Sequence, residues 1–384
     1  MLKNMLHYKK LIILTTILSM GFFSCERFFD PEQELIVKEE DMFSEWFDYR
    51  SAEMGLYSLM QDLVDQIWVL GELRGDLLMV TDNASPDLVN VCNFNITRDN
   101  KYASPTNFYR LIAACNNLIR QLKREHPEVM NGNGESYSNY DRLYGEVMCT
   151  RAWAYFNAAR IYGKIPYFPE SLTTEDEIVK YVNSGGEFVD SLDIIYNPQG
   201  HYDPNKYPLY DTIRNETIVL PKIYLDMETV IDTFTNQLEN EVNIVGLIHN
   251  ATNEDVTWDV TIWNEYAKHS LLGQMYLFDG NFQKAWDHFE PILYDYSSET
   301  EYIRYGLDDK FAKENWKNIF TAIDPYEHIL TIWFGKSYRQ ENSLQSMTSA
   351  FSPNQYMLKP SRFCIDQFET IWNGTKLDDP GNLP

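Results

Sequence analysis

The chain has 384 residues, 44 % of them apolar, and a formal net charge of −25 at pH 7 from 57 acidic and 32 basic side chains. This composition predicts a globular protein with a sizeable core, and so acidic a surface argues against nucleic acid and against a polybasic hold on anionic lipid. No run of about 18 uninterrupted apolar residues is present, so the sequence predicts no ordinary membrane span.

The first 24 residues are typical of an export signal. Three lysines precede a short apolar stretch at residues 11–20, which has the length of about 7–15 residues that such signals use and is too short to cross a bilayer. Ser24, a small residue, stands directly before Cys25 and resembles a bacterial lipobox. Cleavage there would leave Cys25 as the lipid-bearing N-terminus, whereas a plain secretory signal with a chance cysteine is the alternative.

The other cysteines are Cys92, Cys115, Cys149 and Cys364. They have no CxxC spacing and no matching histidine cluster, so a zinc site is not predicted. An exported chain could pair them. However, Cys115 and Cys149 lie within helical apolar patterns, which favours buried free thiols.

From residue 46 onward, apolar residues recur every three or four positions in six segments, the spacing of a helix with one buried face. Ser138 with Asp141 three residues later predicts a capping box at the start of the third segment, and Gly163 with Pro166 predicts its end. The six predicted helices are 46–63, 107–123, 140–162, 226–242, 260–279 and 282–294.

Between and after these helices the helical pattern is weak. Residues 164–224 are rich in Tyr, Pro, Asn, Asp and Gly, which predicts a long loop insertion with short elements that the pattern does not place. Residues 81–106 are predicted to be a loop between two helices, and residues 329–334 a strand or a buried extended run. Residues 336–384 are predicted to be mostly irregular.

The last two predicted helices carry the most specific pattern in the chain. Small residues at two positions would let the helices approach, and aromatic rings would fill the space beside them. Any helical hairpin with matching apolar faces is the alternative, because the match is incomplete. The residues that match the tetratricopeptide signature are Leu272, Gly273, Tyr276, Ala285 and Phe289.

No catalytic motif stands above the background of the sequence, since HExxH, GxSxG, the Walker loop and GxGxxG are all absent. The seven histidines are scattered, so neither a metal site nor a cofactor is predicted. Adjacent acids such as Glu175 and Asp176 are expected by chance among 57 acidic residues and favour a solvated acidic face. We therefore expect no catalytic residue.

A glycan site needs flat aromatic rings that stack on pyranose rings and polar side chains that hydrogen-bond the sugar hydroxyls. The 81–106 stretch contains this mixture, and a Trp stands just before the predicted helix at 260–279. The candidate ligand-binding residues are Asn93, Phe94, Arg98, Tyr102 and Trp258.

Four stretches, by their order and spacing, resemble the SusD/RagB-like outer-membrane lipoproteins of glycan-foraging Gram-negative bacteria. Residues 25–31 resemble the segment after the lipid cysteine, and residues 107–119 a helix that ends in a small residue, Asn and apolar residues. Residues 146–167 contain Arg-Ala, an aromatic pair and Gly-x-x-Pro after an aromatic residue, the most recognisable stretch of the family. Residues 268–285 resemble its later tetratricopeptide hairpin.

The resemblance implies a mostly α fold, in which tetratricopeptide-like helical hairpins form a scaffold with long irregular loops and minor β-structure. It implies four regions along the chain. These are a lipoprotein signal peptide at 1–24, a tether at 25–44, a helical domain at 45–335 with the insertion at 164–224, and an irregular C-terminal part at 336–384 that is shorter than is usual in the family.

The resemblance also implies a function. It implies a non-catalytic protein, anchored to the outer membrane by lipid on Cys25 and facing the exterior, that captures oligosaccharide and passes it to a SusC-like TonB-dependent transporter. Two other functions stay open. One is a tetratricopeptide adaptor for a peptide or protein, since the acidic surface could suit a basic peptide. The other is a glycoside hydrolase, which would need two carboxylates about 5–9.5 Å apart across a sugar.

Overall fold

The computed structural model describes residues 42–124, 137–183, 209–211, 216–218, 223–246, 258–295, 302–303, 328–335 and 339–367. The chain separates into two compact units, Met1–Ser44 and Glu45–Pro384, and the fold described below is that of the second unit. No helix within the described ranges is long and apolar enough to cross a membrane.

Helices dominate the described residues, which confirms the predicted mostly α fold. The predicted helix at 260–279 is divided in two, because the Asn264 side chain caps the second part by accepting a hydrogen bond from the Ala267 N–H at 2.8 Å. The helices are α1 Trp46–Gln61, α2 Val64–Glu72, α3 Pro86–Cys92, α4 Thr106–Leu122, α5 Asn139–Tyr162, α6 Glu175–Asn183, α7 Met227–Asn240, α8 Trp258–Thr261, α9 Glu265–Asp279, α10 Phe282–Leu293 and α11 Leu344–Thr348.

The β-structure is minor, as predicted, and in the described residues every strand belongs to a two-stranded antiparallel pair. The pairs are β1 Leu78–Val80 with β8 Leu358–Pro360, β2 Ile165–Pro166 with β5 Tyr224–Leu225, β3 Leu209–Asp211 with β4 Glu216–Ile218, and β6 Tyr294–Asp295 with β7 Tyr302–Ile303.

Helix α5 lies at the centre of the main core and packs against α1, α2, α4, α7 and α9. Sixteen of its 24 residues are buried, so it is enclosed on nearly every side. Gly145 is required at the point where the chain passes closest, because a Cβ there would lie 2.1 Å from the Ile244 carbonyl oxygen. A larger residue would push this connection off the helix.

Both predicted ends of α5 are confirmed. The Ser138 hydroxyl accepts a hydrogen bond from the Asp141 N–H at 3.1 Å, and the Asp141 carboxylate accepts one from the Ser138 N–H at 2.7 Å. Gly163 ends the helix with φ +78°, a conformation that residues with a side chain rarely adopt. The capping residues therefore fix where the central helix starts and stops.

A buried polar network joins α1 to α5 and to the start of α9. Arg50 forms an ion pair with Glu53 and lies 4.0 Å from Glu146, and all three side chains are buried. The Tyr57 hydroxyl donates to Glu146 at 2.8 Å and accepts from the Trp263 N–H at 2.8 Å. Burial, followed by the charge of Glu146, raises the pKa of Tyr57, while burial lowers the pKa of Arg50.

Helices α9 and α10 form the predicted tetratricopeptide-like hairpin. A Cβ on Gly273 would lie 2.5 Å from the Phe289 ring, so the two helices touch where the sequence places a glycine. Leu272, Tyr276 and Ala285 are buried beside this contact. The signature residues thus occupy the helix interface, as their spacing predicts.

Several stretches predicted to be irregular contain regular elements. Helix α3 lies within residues 81–106, β2 to β4 and α6 lie within residues 164–224, and β5 begins at the last residue of that stretch. Residues 329–334 form no strand and are half-buried, and the Thr331 N–H donates to the Val260 carbonyl at 2.6 Å. Of the two predicted alternatives for this run, the strand is wrong, since no ladder forms, and the residues lie half-buried instead.

The C-terminal residues 336–384 are also more regular than predicted, since α11 and β8 lie among them. Strand β8 pairs with β1, and α11 packs beside it, so this segment returns to the N-terminal helices and completes a second hydrophobic core. The buried residues of this core are Val69, Leu70, Leu73, Leu88, Val91, Tyr102, Met347 and Leu358.

Candidate functional site

An open polar cleft lies beside α2, at the point where the chain enters α4 and the C-terminal segment returns. Its volume is about 290 Å³. Among its lining side chains only Tyr102 is aromatic, and the others carry carboxylates, amides, hydroxyls or an amine. The residues that line it are Asp62, Asp65, Gln66, Lys101, Tyr102, Ser104, Thr106, Asn107 and Ser343.

Gln66 shapes the wall of this cleft. Its buried side-chain amide donates to the carbonyls of Tyr102 at 2.6 Å and Ser104 at 2.7 Å, and it lies 2.9 Å from the Tyr162 hydroxyl. Burial raises the pKa of Tyr162 to about 12, so this hydroxyl keeps its proton at neutral pH. Gln66 therefore fixes the segment 102–104 against α2 and α5.

Asp65 holds the C-terminal segment at the edge of the cleft. Its carboxylate accepts hydrogen bonds from the Ser343 N–H at 2.9 Å and from the Ser343 hydroxyl at 2.6 Å. Asp62, with half of its side chain exposed, lies 3.9 Å from the guanidinium of Arg110. Of the two carboxylates in the cleft, one is thus occupied by the chain itself and the other faces solvent.

Three of the predicted ligand-binding residues are exposed at the surface, and none of them lines the cleft. Asn93 is exposed at the end of α3, and Arg98 is exposed in the loop that follows. Phe94 is 72 % exposed and adopts φ +55°, an uncommon conformation for a bulky residue. The conformation turns the chain after α3 and leaves the ring of Phe94 in solvent.

Tyr102 lines the cleft but is almost fully buried. Its side chain is only 6 % exposed, its ring belongs to the second hydrophobic core, and its hydroxyl lies 3.9 Å from the Met347 sulfur. The Lys101 amine lies 4.7 Å above the ring centroid. The ring therefore packs in the second core, and little of it is exposed for stacking on a sugar.

Two further predicted residues cannot be placed at a site. Trp258 begins α8, and its side chain is outside the described part of the structure. Cys25 lies outside the described residues altogether. The signature residues of the α9–α10 hairpin are structural, as predicted, and none of them lines the cleft.

Pattern reasoning missed Gln66, Asp65, Lys101 and Ser343. Gln66 and Asp65 interrupt an apolar run at residues 63–70, which is a detectable signal, since a polar residue on a buried face needs a partner. Ser343 gives no local signal, because its partner Asp65 lies 278 positions away in the chain.

Neither a reactive thiol nor a metal-binding group is found at this site in the described residues. Cys115 and Cys149 are buried free thiols, as predicted, and burial raises the pKa of Cys115 to about 12, which makes it a poor nucleophile. In the ranges that the structure covers, no group of three or more His, Cys, Asp or Glu side chains could hold a metal ion.

Comparison with known proteins shows a partial family match and a shared fold. Residues 65–185 match the SusD-like family model described as starch-binding associating with outer membrane. The fold is similar to that of surface glycan-binding protein A from Bacteroides thetaiotaomicron in complex with laminarihexaose, at 13 % identity over 88 % of this chain and 67 % of that chain, with a TM-score of 0.53. No curated protein matches the chain.

A SusD superfamily protein from Bacteroides thetaiotaomicron is similar at 16 % identity, over 84 % of this chain and 61 % of that chain, with a TM-score of 0.51. At identities this low, the two similarities show the fold alone. The family model matches the segment that contains α3 to α6, which confirms the resemblance to SusD/RagB-like proteins that the sequence indicated. The chain spans about three fifths of the length of that SusD superfamily structure.

Proposed function

We propose that this protein is a non-catalytic glycan-binding lipoprotein of the bacterial outer membrane, and that the cleft beside α2 is part of its binding surface. The observation that carries this proposal is the polar cleft itself. All of its lining residues except Asp62 and Ser343 fall within the segment that matches the starch-binding family model. The similarity of this protein's fold to that of a protein in complex with laminarihexaose supports the same function.

The chemistry of the cleft suits sugar hydroxyls. Ser104, Thr106 and Asn107 offer hydroxyl and amide groups that both donate and accept hydrogen bonds, as a sugar hydroxyl does. The exposed ring of Phe94 can stack on a pyranose face, and Arg98 can donate to its hydroxyls. Neutral glycan would thus bind through hydrogen bonds and stacking rather than through charge.

Isothermal titration of the purified protein against laminarin, starch and xylan tests the proposal. We expect binding to at least one of these polysaccharides, and we expect Asn107→Ala and Phe94→Ala each to weaken it by about threefold to tenfold. Phe47→Ala is the matched control, since Phe47 is also 72 % exposed but lies on α1. Equal effects of Phe94→Ala and Phe47→Ala, or no binding to any of the three, would contradict the proposal.

The absence of catalysis is tested separately. A retaining or inverting glycosidase needs two carboxyl groups that face the scissile bond. In the cleft Asp65 is bound to Ser343, which leaves Asp62 as the one carboxylate that faces solvent there. We expect no reducing sugar to be released from a polysaccharide that the protein binds. Release that is abolished by Asp62→Asn would instead establish a hydrolase.

The proposal includes an anchor and a partner. Cys25 would carry the lipid, so Cys25→Ser should abolish labelling by radioactive palmitate and shift the protein from the membrane to the soluble fraction. A SusC-like TonB-dependent transporter would receive the glycan, and it should co-purify with the tagged lipoprotein from detergent-solubilised outer membranes. An unlabelled wild-type protein would overturn the anchor.

A protein-binding function is the second candidate, and one observation favours it. The α9–α10 hairpin exposes a group of apolar side chains, and such patches often mark protein contacts. Crosslinking in outer-membrane preparations, followed by comparison of the charged variant Phe282→Glu with wild type, tests this function. The exposed side chains are Leu277, Phe278, Phe282 and Trp286.

A further inference from the structure

A second cavity, separate from the cleft, lies where α4, α5 and α7 meet the segment 167–171. Its volume is about 300 Å³, and it shares no lining residue with the cleft. Its walls include the rings of two tyrosines, two side-chain amides and an unusual concentration of cations. The residues that line it are Asn116, Ile119, Arg120, Lys123, Arg124, Tyr144, Arg151, Tyr167, Pro169, Glu170, Ser171, Gln237 and Glu241.

Arg151 is the central observation. It is 5 % exposed, and its guanidinium donates to Asn116 Oδ1 at 3.1 Å, to Gln237 Oε1 at 2.9 Å and to the Pro169 carbonyl at 3.4 Å. All of these acceptors are neutral, and a contact with the sulfur of Met148 at 3.5 Å adds no charge. Its Nε is buried and has no hydrogen-bond partner.

No carboxylate of the described residues forms a salt bridge with Arg151. A buried charge without a counter-charge is unfavourable, because the interior solvates it poorly, and buried guanidinium groups normally have an anionic partner. The neutral acceptors fix the position of the guanidinium without neutralising it. An anion in the cavity would supply the missing counter-charge.

The rest of the lining strengthens this charge. Four cations line the cavity against two carboxylates, Glu170 and Glu241, in a chain with a net charge of −25. The Lys123 amine is exposed at the rim and lies 6.0 Å above the Tyr144 ring. Burial raises the pKa of Glu170, while the charges of Lys123 and Arg120 act in the opposite direction.

We infer that this cavity binds a sugar acid, a monosaccharide unit that carries a carboxylate. The carboxylate would lie near Arg151 and Lys123, and the sugar ring would lie against the half-buried ring of Tyr144. A volume of about 300 Å³ is at the lower end of small-molecule sites, which suits one sugar unit and exceeds what an inorganic anion fills. The inference goes beyond the proposed glycan cleft and does not depend on it.

Isothermal titration of the full chain with glucuronate, galacturonate, glucose, acetate and inorganic phosphate tests the inference. We expect at least one of the two uronates to bind and glucose to bind at least about tenfold more weakly, because glucose lacks the charged group. Raising the salt from about 50 mM to about 300 mM should weaken uronate binding, since added ions screen the attraction at the exposed rim.

Two variants locate the site. Arg151→Gln should abolish uronate binding, but Arg151 also ties three elements together, so this variant can fail to fold. Lys123→Gln is the second variant, since Lys123 is exposed, and it should weaken uronate binding about threefold to tenfold. Lys284→Gln is its matched control, because that exposed residue also has its amine above a tyrosine ring but lines neither the cavity nor the cleft.

Four results would overturn the inference. They are equal affinity for glucose and the uronates, equal affinity for acetate or phosphate and the uronates, no binding of any probe, and no difference between Lys123→Gln and Lys284→Gln. Binding of laminarin, starch or xylan at the cleft is measured independently, so a failure here is distinguishable from a failure of the proposed function.

Discussion

Individual residues in this protein act through close contacts and buried polar groups. Gly273 allows α9 to rest on the ring of Phe289, and the Tyr57 hydroxyl joins the Glu146 carboxylate to the backbone at Trp263. A side chain added at Gly273 would have no room. If the Tyr57 hydroxyl were removed, no other group would take over its hydrogen bonds. Stability should therefore respond strongly to single-atom changes at these two places.

Gly273→Ala should lower the free energy of unfolding by about 1–3 kcal/mol, because its Cβ would overlap the Phe289 ring. Gly55→Ala is the matched control on α1, where nothing lies within 4 Å of the added Cβ. It should raise stability by about 0.5–1 kcal/mol through the better helix propensity of alanine. Urea unfolding measures both, and a neutral or stabilising Gly273→Ala would contradict the hairpin contact.

Tyr57→Phe should cost about 1–3 kcal/mol, since it removes a hydrogen bond from the buried carboxylate of Glu146 and leaves the Trp263 N–H without its acceptor. Tyr109→Phe is the comparison, because that hydroxyl donates only to the neutral Pro166 carbonyl, at 2.9 Å. The loss at Tyr57 should be the larger of the two in urea unfolding. The opposite order would show that the Glu146 network contributes little.

At the scale of secondary-structure elements, two connections hold distant parts of the fold. Helices α7, α9 and α10 meet through a polar cluster in which the Tyr276 hydroxyl donates to Glu239 at 2.6 Å and His288 stacks on the Tyr276 ring. His269 Nδ1 lies 3.0 Å from His288 Nδ1. The C-terminal segment, in turn, is joined to α2 and α3 by the pairing of β1 with β8.

The histidine contact predicts a pH dependence. Burial, followed by the charge of His288, lowers the pKa of His269 below the ordinary histidine value of 6.5, and Lys268 acts in the same direction while Glu265 opposes it. The unfolded chain then takes up the proton first as the pH falls, so stability is retained above about pH 6.5 and declines below it. Urea unfolding at about pH 7.5 and about pH 5.5 should show a smaller decline in His269→Asn than in wild type. Identical declines would contradict this prediction.

The strand pairing predicts that the C-terminal segment contributes to folding. Leu358→Ala should cost about 2–5 kcal/mol, because Leu358 is fully buried in the second core and its loss leaves a cavity. Ile365→Ala, in the same segment but 40 % exposed, should change stability by no more than about 0.5 kcal/mol. Equal effects of the two substitutions in thermal or urea unfolding would mean that β8 does not complete the core.

At the scale of the whole molecule, charge is distributed unevenly. The chain carries a net charge of −25, yet four cations converge on the cavity between α4, α5 and α7, while the cleft beside α2 combines neutral polar groups with two carboxylates and one amine. Like charges on the surface repel one another and oppose the compact state. A neutral glycan is not repelled by a negatively charged surface. An anion would bind where positive side chains outnumber negative ones, as they do in this cavity.

Salt should therefore stabilise the folded protein. Raising sodium chloride from about 10 mM to about 500 mM shortens the screening length severalfold and weakens the repulsion among surface carboxylates. The urea midpoint should rise, and potassium chloride at equal ionic strength should give the same increase. A midpoint that falls with salt would mean that surface ion pairs outweigh the repulsion.

Sequence alone determined those features that depend on neighbouring residues. Helical periodicity located the six main helices to within a few residues, since an amphipathic helix shows its buried face in the spacing of its apolar residues. The Ser138 capping box, the stop at Gly163 and the Gly273 contact were likewise readable. Together with the recognisable stretch at 146–167, they were enough to indicate the family.

Only the tertiary structure decided which residues form a site. Tyr102 stands in a polar stretch whose composition is that of a surface loop. Its place in the second core depends on Met347, 245 positions away in the chain. The carboxylate of Asp65 meets Ser343 across a similar separation. Arg151 on α5 has neutral partners because α4 and α7 place the amides of Asn116 and Gln237 beside it. Burial and charge balance depend on contacts between distant segments, and the local sequence does not contain that information.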